Sequence, residues 1–184
     1  MGRRLTETER SLGLQWVTAT VVGWVVGFLL CEAVNNFLAT VFVDGLIIGA
    51  SVGIAQWLVL RRRIGSIRWW VMASIVGFGV GKAVGEALVQ GMPTAVGHVL
   101  SGAVIGLSVG VAQWLVLRRH VSRAAWWVPA NIAAWALGWT VVGVAEESVG
   151  LPILTVYVVG AIGAAVAGTI TGIALIWMSR LRLA

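Results

Sequence analysis

The chain contains the stretch Gly53-Ile-Ala-Gln-Trp-Leu-Val-Leu-Arg-Arg-Arg63, which is followed by Trp69-Trp70-Val-Met-Ala-Ser74. Both parts return as Gly110-Val-Ala-Gln-Trp-Leu-Val-Leu-Arg-Arg-His120 and Trp126-Trp127-Val-Pro-Ala-Asn131. In each copy an apolar run ends in a short arginine-rich segment, and a Trp-Trp pair opens the next apolar run. The repeated unit is therefore predicted to join one membrane span to the next through a short turn.

The composition is that of a chain dissolved in lipid. Apolar residues make up 59% and charged residues 11% of the chain, and the mean hydropathy is +0.96. A soluble domain has about half apolar and a quarter charged residues. The net charge of +6 comes from short clusters at the ends of apolar runs, where basic residues set membrane topology. No basic face with interleaved aromatic residues is present, so no nucleic-acid partner is predicted.

Six apolar runs are long enough to cross about 30 Å of hydrocarbon as helices at about 1.5 Å per residue. Helices are required because unpaired backbone groups are costly in lipid and no alternating barrel pattern is present. The predicted spans are 14–34, 42–60, 69–89, 96–117, 126–148 and 152–178.

In a six-span arrangement twelve of the thirteen basic residues fall on one side, and Lys82 is the exception. By the positive-inside rule that side, which carries both termini, is cytoplasmic. The basic composition of the loops thus predicts a multi-pass membrane protein with both termini cytoplasmic.

The spans group into three parallel hairpin repeats, about 11–63, 64–120 and 121–184, within one transmembrane domain. Each repeat has an outward helix and a returning helix. A quasi-threefold arrangement of hairpins and a linear or asymmetric bundle both fit this pattern. The predicted fold class is an all-α integral membrane protein of six helices packed through Gly-xxx-Gly stripes.

The returning helices carry small residues at every fourth position, which lie along one helix face and let backbones approach. We interpret these stripes as packing surfaces between hairpins, with a partner helix or a narrow path as alternatives. The residues are Gly45, Gly49, Gly53, Gly102, Gly106, Gly110, Gly160, Ala164, Gly168 and Gly172.

Most of the eleven tryptophans fall near the basic ends of helices, including Trp16, Trp70 and Trp127, and are interpreted as an interfacial aromatic belt. Trp24, Trp135 and Trp139 lie deeper and are the first candidates for contact with a pigment or quinone.

Two sets of polar residues lie inside the spans near the basic side: Thr20, Ser74 and Asn131 in the outward helices, and Gln56 and Gln113 in the returning ones. Hydrogen bonds across helices are expected for them. In the third copy Leu175 is expected where a glutamine would fall.

The opposite side carries acidic residues and the single lysine. Glu32 and Glu86 match by the repeat, Glu146 matches if the fifth helix holds three extra residues, and Glu147 is adjacent. Either these are interfacial carboxylates facing water, or they form an acidic vestibule for cations or protons. Lys82 stands one turn before Glu86 and is expected to pair with it or with another of these acids.

The sequence contains no nucleophile elbow, phosphate loop or zinc-protease motif, and no catalytic residue, cofactor or metal site is predicted. The repeated Ala-Gln-Trp-Leu-Val-Leu-Arg-Arg at 55–62 and 112–119 resembles a group of small bacterial multi-span membrane proteins, which includes cyanobacterial members. This resemblance implies the hairpin fold and assigns no functional residues.

The function expected from these features is a non-enzymatic membrane scaffold or accessory subunit. Its partners would be membrane lipids together with other membrane subunits or copies of itself. A small cation or proton transporter or channel is the alternative, and lipid, quinone or pigment binding is a further one.

Overall fold

The computed structural model describes residues 5–35, 40–64, 67–149 and 153–180. Within these ranges the chain is all helical and contains no strand, and all six helices are long and apolar enough to cross a membrane. This confirms the predicted all-α, multi-span class. The helices are α1 (Glu7–Asn35), α2 (Val41–Leu60), α3 (Trp70–Leu88), α4 (Thr94–Leu117), α5 (Trp127–Val149) and α6 (Ile153–Arg180).

The first helix begins before the predicted Leu14 because its start is capped. The Thr6 hydroxyl accepts a hydrogen bond from the Glu9 backbone N–H at 3.3 Å, and the Glu9 carboxylate accepts one from the Thr6 N–H at 2.8 Å. This reciprocal pair is a capping box, which satisfies two N–H groups at a helix start. Glu9 also accepts two hydrogen bonds from the Arg180 guanidinium at the end of α6. The start of α1 and the end of α6 are therefore held together.

The helices form a closed ring. Each helix packs mainly against the helices before and after it in the chain, and α1 packs against α6. Odd and even helices therefore alternate around a central axis. Of the two arrangements that the sequence left open, the described part of the chain adopts the ring rather than a linear bundle.

Glycines bring the backbones of neighbouring helices into close contact, as the α2–α3 and α4–α5 interfaces illustrate. At Gly45 in α2 an added Cβ would lie 2.6 Å from the carbonyl oxygen of Phe78 in α3. At Gly102 in α4 an added Cβ would lie 2.5 Å from the carbonyl oxygen of Trp135 in α5. No side chain fits at such distances without moving the helices apart, so these glycines set the spacing of α2 from α3 and of α4 from α5.

Candidate functional site

Three tryptophans meet on the axis near the arginine-rich end of the ring. Trp16, Trp70 and Trp127 come from α1, α3 and α5, and their exposed fractions are 0%, 0% and 1%. Their ring centroids are 5.8 to 6.0 Å apart, in edge-to-face or tilted pairs. Such contacts are favourable beyond the burial of area alone. This tryptophan triad fills the axis at its level.

For the triad, the interpretation as an interfacial belt is wrong. A belt tryptophan lies at the surface, whereas these three indoles point inward and their N–H groups bond to buried side chains. Their chain neighbours Trp69 and Trp126 are 57% and 59% exposed and fit the belt. Each Trp-Trp pair thus places one indole inside the ring and one outside.

Gln56 connects three helices beside the triad. Its amide nitrogen donates to the Thr20 hydroxyl at 3.1 Å, and its amide oxygen accepts from the Trp70 indole N–H at 3.3 Å. The Thr20 hydroxyl donates in turn to the Trp16 carbonyl at 3.0 Å. One glutamine of α2 is therefore bonded to both α1 and α3.

Gln113 repeats this arrangement one hairpin later. Its amide nitrogen donates to the Ser74 hydroxyl, and its amide oxygen accepts from the Trp127 indole N–H, both at 2.9 Å. The Ser74 hydroxyl donates to the Trp70 carbonyl at 2.9 Å. The prediction that these polar residues bond across helices is confirmed for both glutamines.

In the third copy the polar position belongs to Thr171, so the expectation for Leu175 is wrong by one helical turn. The Thr171 hydroxyl accepts from the Trp16 indole N–H at 3.0 Å. Leu175 is buried instead at the level of Leu60 and Leu117, the last residues of α2 and α4. This hydrogen bond links α6 to α1 without a third glutamine.

The lysine lies at the opposite end of the ring. The Lys82 ammonium is 3.7 Å from a carboxylate oxygen of Glu86, one turn later in α3. It also lies 5.5 Å from the centre of the Trp139 ring in α5. The side chains of Lys82 and Glu86 are 16% and 41% exposed, so this ion pair is only partly shielded from its surroundings.

Of the other acidic candidates, only Glu32 has a side chain among the described residues. Glu32 is exposed on α1. In the register set by the triad, Gly143 of α5 is the equivalent of Glu32 and Glu86, because α5 is continuous. Glu146 lies three residues further along α5, and the side chains of Glu146 and Glu147 are outside the described residues.

A cavity of about 190 Å³ lies between α1, α5 and α6. Trp24, Trp135 and Trp139, the three tryptophans expected to lie deepest, all line it. Its remaining walls come from Phe28, Gly138, Val142, Gly160, Gly163 and Ala164. The cavity is therefore apolar, with aromatic side chains on one side and bare backbone on another.

In the described part of the chain no three His, Cys, Asp or Glu side chains are grouped so that they could hold a metal ion. No protein-family model, curated protein or solved structure matches the chain. The described part of the chain has three features on which a function can be based. Hydrogen-bonded tryptophans and glutamines fill the axis near one end of the ring, an ion pair lies near the other end, and an apolar cavity lies between α1, α5 and α6.

Proposed function

We propose that the protein is a non-catalytic scaffold or accessory subunit of a membrane complex, built from three repeat hairpins packed through their glycine stripes. The observation that carries this proposal is the filled axis. The triad and the two glutamines bond to one another across the helices, so the polar groups of the interior hold the ring together and leave no binding function open at that level.

The same observation weighs against the transporter or channel alternative. A path from the Lys82–Glu86 pair to the arginine-rich end would run through the three indoles of the triad, which are fully buried. Opening it would expose the Trp70 and Trp127 N–H groups and cost the hydrogen bonds they donate. The ring is built for rigidity rather than for conduction.

The proposal places the protein in a bacterial inner membrane, with both termini cytoplasmic, in accordance with the distribution of arginines and the resemblance to small bacterial multi-span proteins. Its partners would be membrane lipids and other membrane subunits or further copies of the chain. No nucleic acid, cofactor or catalytic residue is assigned.

The test is to extract the protein from its native membrane in two mild detergents and to measure the mass of the intact complex and its subunit ratio. A partner in fixed stoichiometry in both detergents supports the proposal. A free monomer in both would contradict it.

Ion flux in liposomes gives the opposing measurement. The wild-type chain should show no flux above that of empty liposomes, and Glu86→Gln should change nothing. Flux that Glu86→Gln abolishes would instead establish the transporter.

A further inference from the structure

The interface between α6 and α1 differs from the equivalent ones, α2–α3 and α4–α5. In those two, Gly49 and Gly106 lie so close to the carbonyl oxygens of Ser74 and Asn131 that no Cβ fits. The equivalent residue of α6 is Ala164, which carries a Cβ. Since that Cβ needs ordinary contact distance, α6 stands further from α1 at this level.

Trp24 of α1 extends into the widened interface. Its indole occupies the space that a side chain on Gly160 would need, and it stacks on Phe28 with centroids 5.1 Å apart and planes 18° apart. The equivalent residues of the other hairpins, Phe78 and Trp135, contact each other edge to face at 4.9 Å. The Trp24 indole is thus turned towards α6, and the cavity lies between it and Trp135.

The cavity has the properties of a binding site for hydrocarbon. Protein interiors keep few voids larger than a water molecule, yet this one holds about 190 Å³. Its walls offer no set of polar partners, which a buried water needs, and an apolar cavity of about 150 Å³ stays dry and binds benzene. Gly138, Gly160 and Gly163 bring bare backbone to the wall of the cavity. The cavity is also partly open to the surroundings of the protein.

We infer that the cavity between α1, α5 and α6 binds the end of one hydrocarbon chain of a membrane lipid. Two sources carry such a chain: the acyl chain of a phospholipid and the isoprenoid chain of a quinone. The indoles of Trp24, Trp135 and Trp139 form one wall against the chain, and the glycines allow it to contact backbone. This binding is independent of the scaffold role.

The test measures quenching of tryptophan fluorescence in the delipidated full-length chain. One probe is a phosphatidylcholine brominated near its chain ends, and the other is a short-chain isoprenoid ubiquinone, whose ring quenches indole. Chain binding at the cavity should give a saturable component corresponding to one probe per protein. Quenching of the exposed tryptophans by bulk lipid should instead increase with probe concentration without saturating.

Two variants at one position separate the cavity from the rest of the surface. Val142 lines the cavity and is 8% exposed. Val142→Phe fills the space and should weaken the saturable binding about tenfold or more, because even one methylene in an apolar pocket changes affinity by that order. Val142→Ala enlarges the space and should keep the saturable component. If Val142→Phe does not fold, the comparison rests on Val142→Ala, which should then bind a bulkier branched chain more tightly than the wild type does.

Saturation by brominated phosphatidylcholine alone assigns the site to acyl chains, and saturation by the ubiquinone alone assigns it to isoprenoid chains. Either result supports the inference. Non-saturable quenching by both probes, equal in all three proteins, would overturn it and make the cavity a packing defect.

Discussion

Replacing Gln113 by methionine tests whether the polar network holds the ring together. Methionine keeps the length and apolar stem of glutamine but can neither donate to Ser74 nor accept from Trp127. Both bonds are 2.9 Å long, and Gln113 is 1% exposed. The substitution therefore removes two good interhelical hydrogen bonds with little change in packing volume.

The expected loss can be worked from these contacts. Interhelical hydrogen bonds in membranes contribute about 0.6 to 1.7 kcal/mol each. The indole N–H of Trp127 would also remain buried without an acceptor, which carries its own penalty. We therefore expect Gln113→Met to lower the free energy of unfolding by about 2–3 kcal/mol, the upper part of the range for two such bonds.

The assay is reversible unfolding in mixed micelles with increasing SDS, followed by near-UV circular dichroism, which reports the packing of the triad. Gln56→Met is the matched comparison and should cost less, because its bonds are longer, at 3.1 and 3.3 Å. Leu107→Ala, at a lipid-facing position that is 47% exposed, should leave the midpoint nearly unchanged. If Gln113→Met unfolds with the wild-type midpoint and keeps the near-UV signal, the network does not stabilise the ring.

Three further substitutions test other contacts by the same unfolding assay. Gly106→Leu should lower the free energy of unfolding by at least about 3 kcal/mol, the upper end for overpacking, because even its Cβ collides with the backbone of α5. Gly97→Ala is the control and should be tolerated, since a Cβ there meets its nearest neighbour at 3.6 Å. If Gly106→Leu unfolds with the wild-type midpoint, Gly106 has no packing role. Lys82→Met should cost no more than about 1 kcal/mol, since the ion pair is partly exposed; a much larger loss would mean that the charge is buried. Glu9→Gln should lower the midpoint at low salt by removing the ion pair with Arg180, and the difference should shrink in high salt; a difference that persists unchanged would point to packing instead.

The helices could be predicted from the sequence because lipid leaves few alternatives. A run of apolar residues of spanning length must be helical, and the arginine-rich turns with their Trp-Trp pairs mark where the runs meet. The cross-helix bonding of Gln56 and Gln113 was also predictable, because an amide inside a span must find partners.

The direction of the indoles could not be predicted in the same way. Adjacent residues on a helix point about 100° apart, so a Trp-Trp pair places one indole inward, but only the closed ring determines which one. Trp70 turns to the axis and Trp69 to the outside. The useful signal was the repeat itself, since Trp16 aligns with Trp70 and has no tryptophan beside it.

The register of the last helix was ambiguous for a similar reason. The small residues of α6 recur at every fourth position: Gly160, Ala164, Gly168 and Gly172. An alignment of α6 with α2 and α4 can therefore be shifted by one helical turn and still match small residues with small residues. The contact of Gly168 with Thr20 matches that of Gly53 with Ser74, and this fixes the register. The spacing of residues in the sequence does not show which residues are in contact, so it could not fix the register.

The departures from threefold repetition are concentrated where α6 closes the ring against α1. There a threonine hydroxyl replaces the glutamine amide, and Thr171 bonds to Trp16 without reaching the polar residue on its other side, Asn131, which donates to its own helix. There too Ala164 replaces the glycine that would bring the backbones together. The α6–α1 interface keeps its hydrogen bond from the Trp16 indole and also carries the Glu9–Arg180 ion pair, so the bond that the third copy lacks is the one to α5. What this interface lacks is the close approach of backbones at Ala164, and the gap there is the space that a hydrocarbon chain can enter. The alanine at position 164 therefore connects two properties of the ring, because it loosens the packing of α6 on α1 and leaves room for the proposed hydrocarbon site.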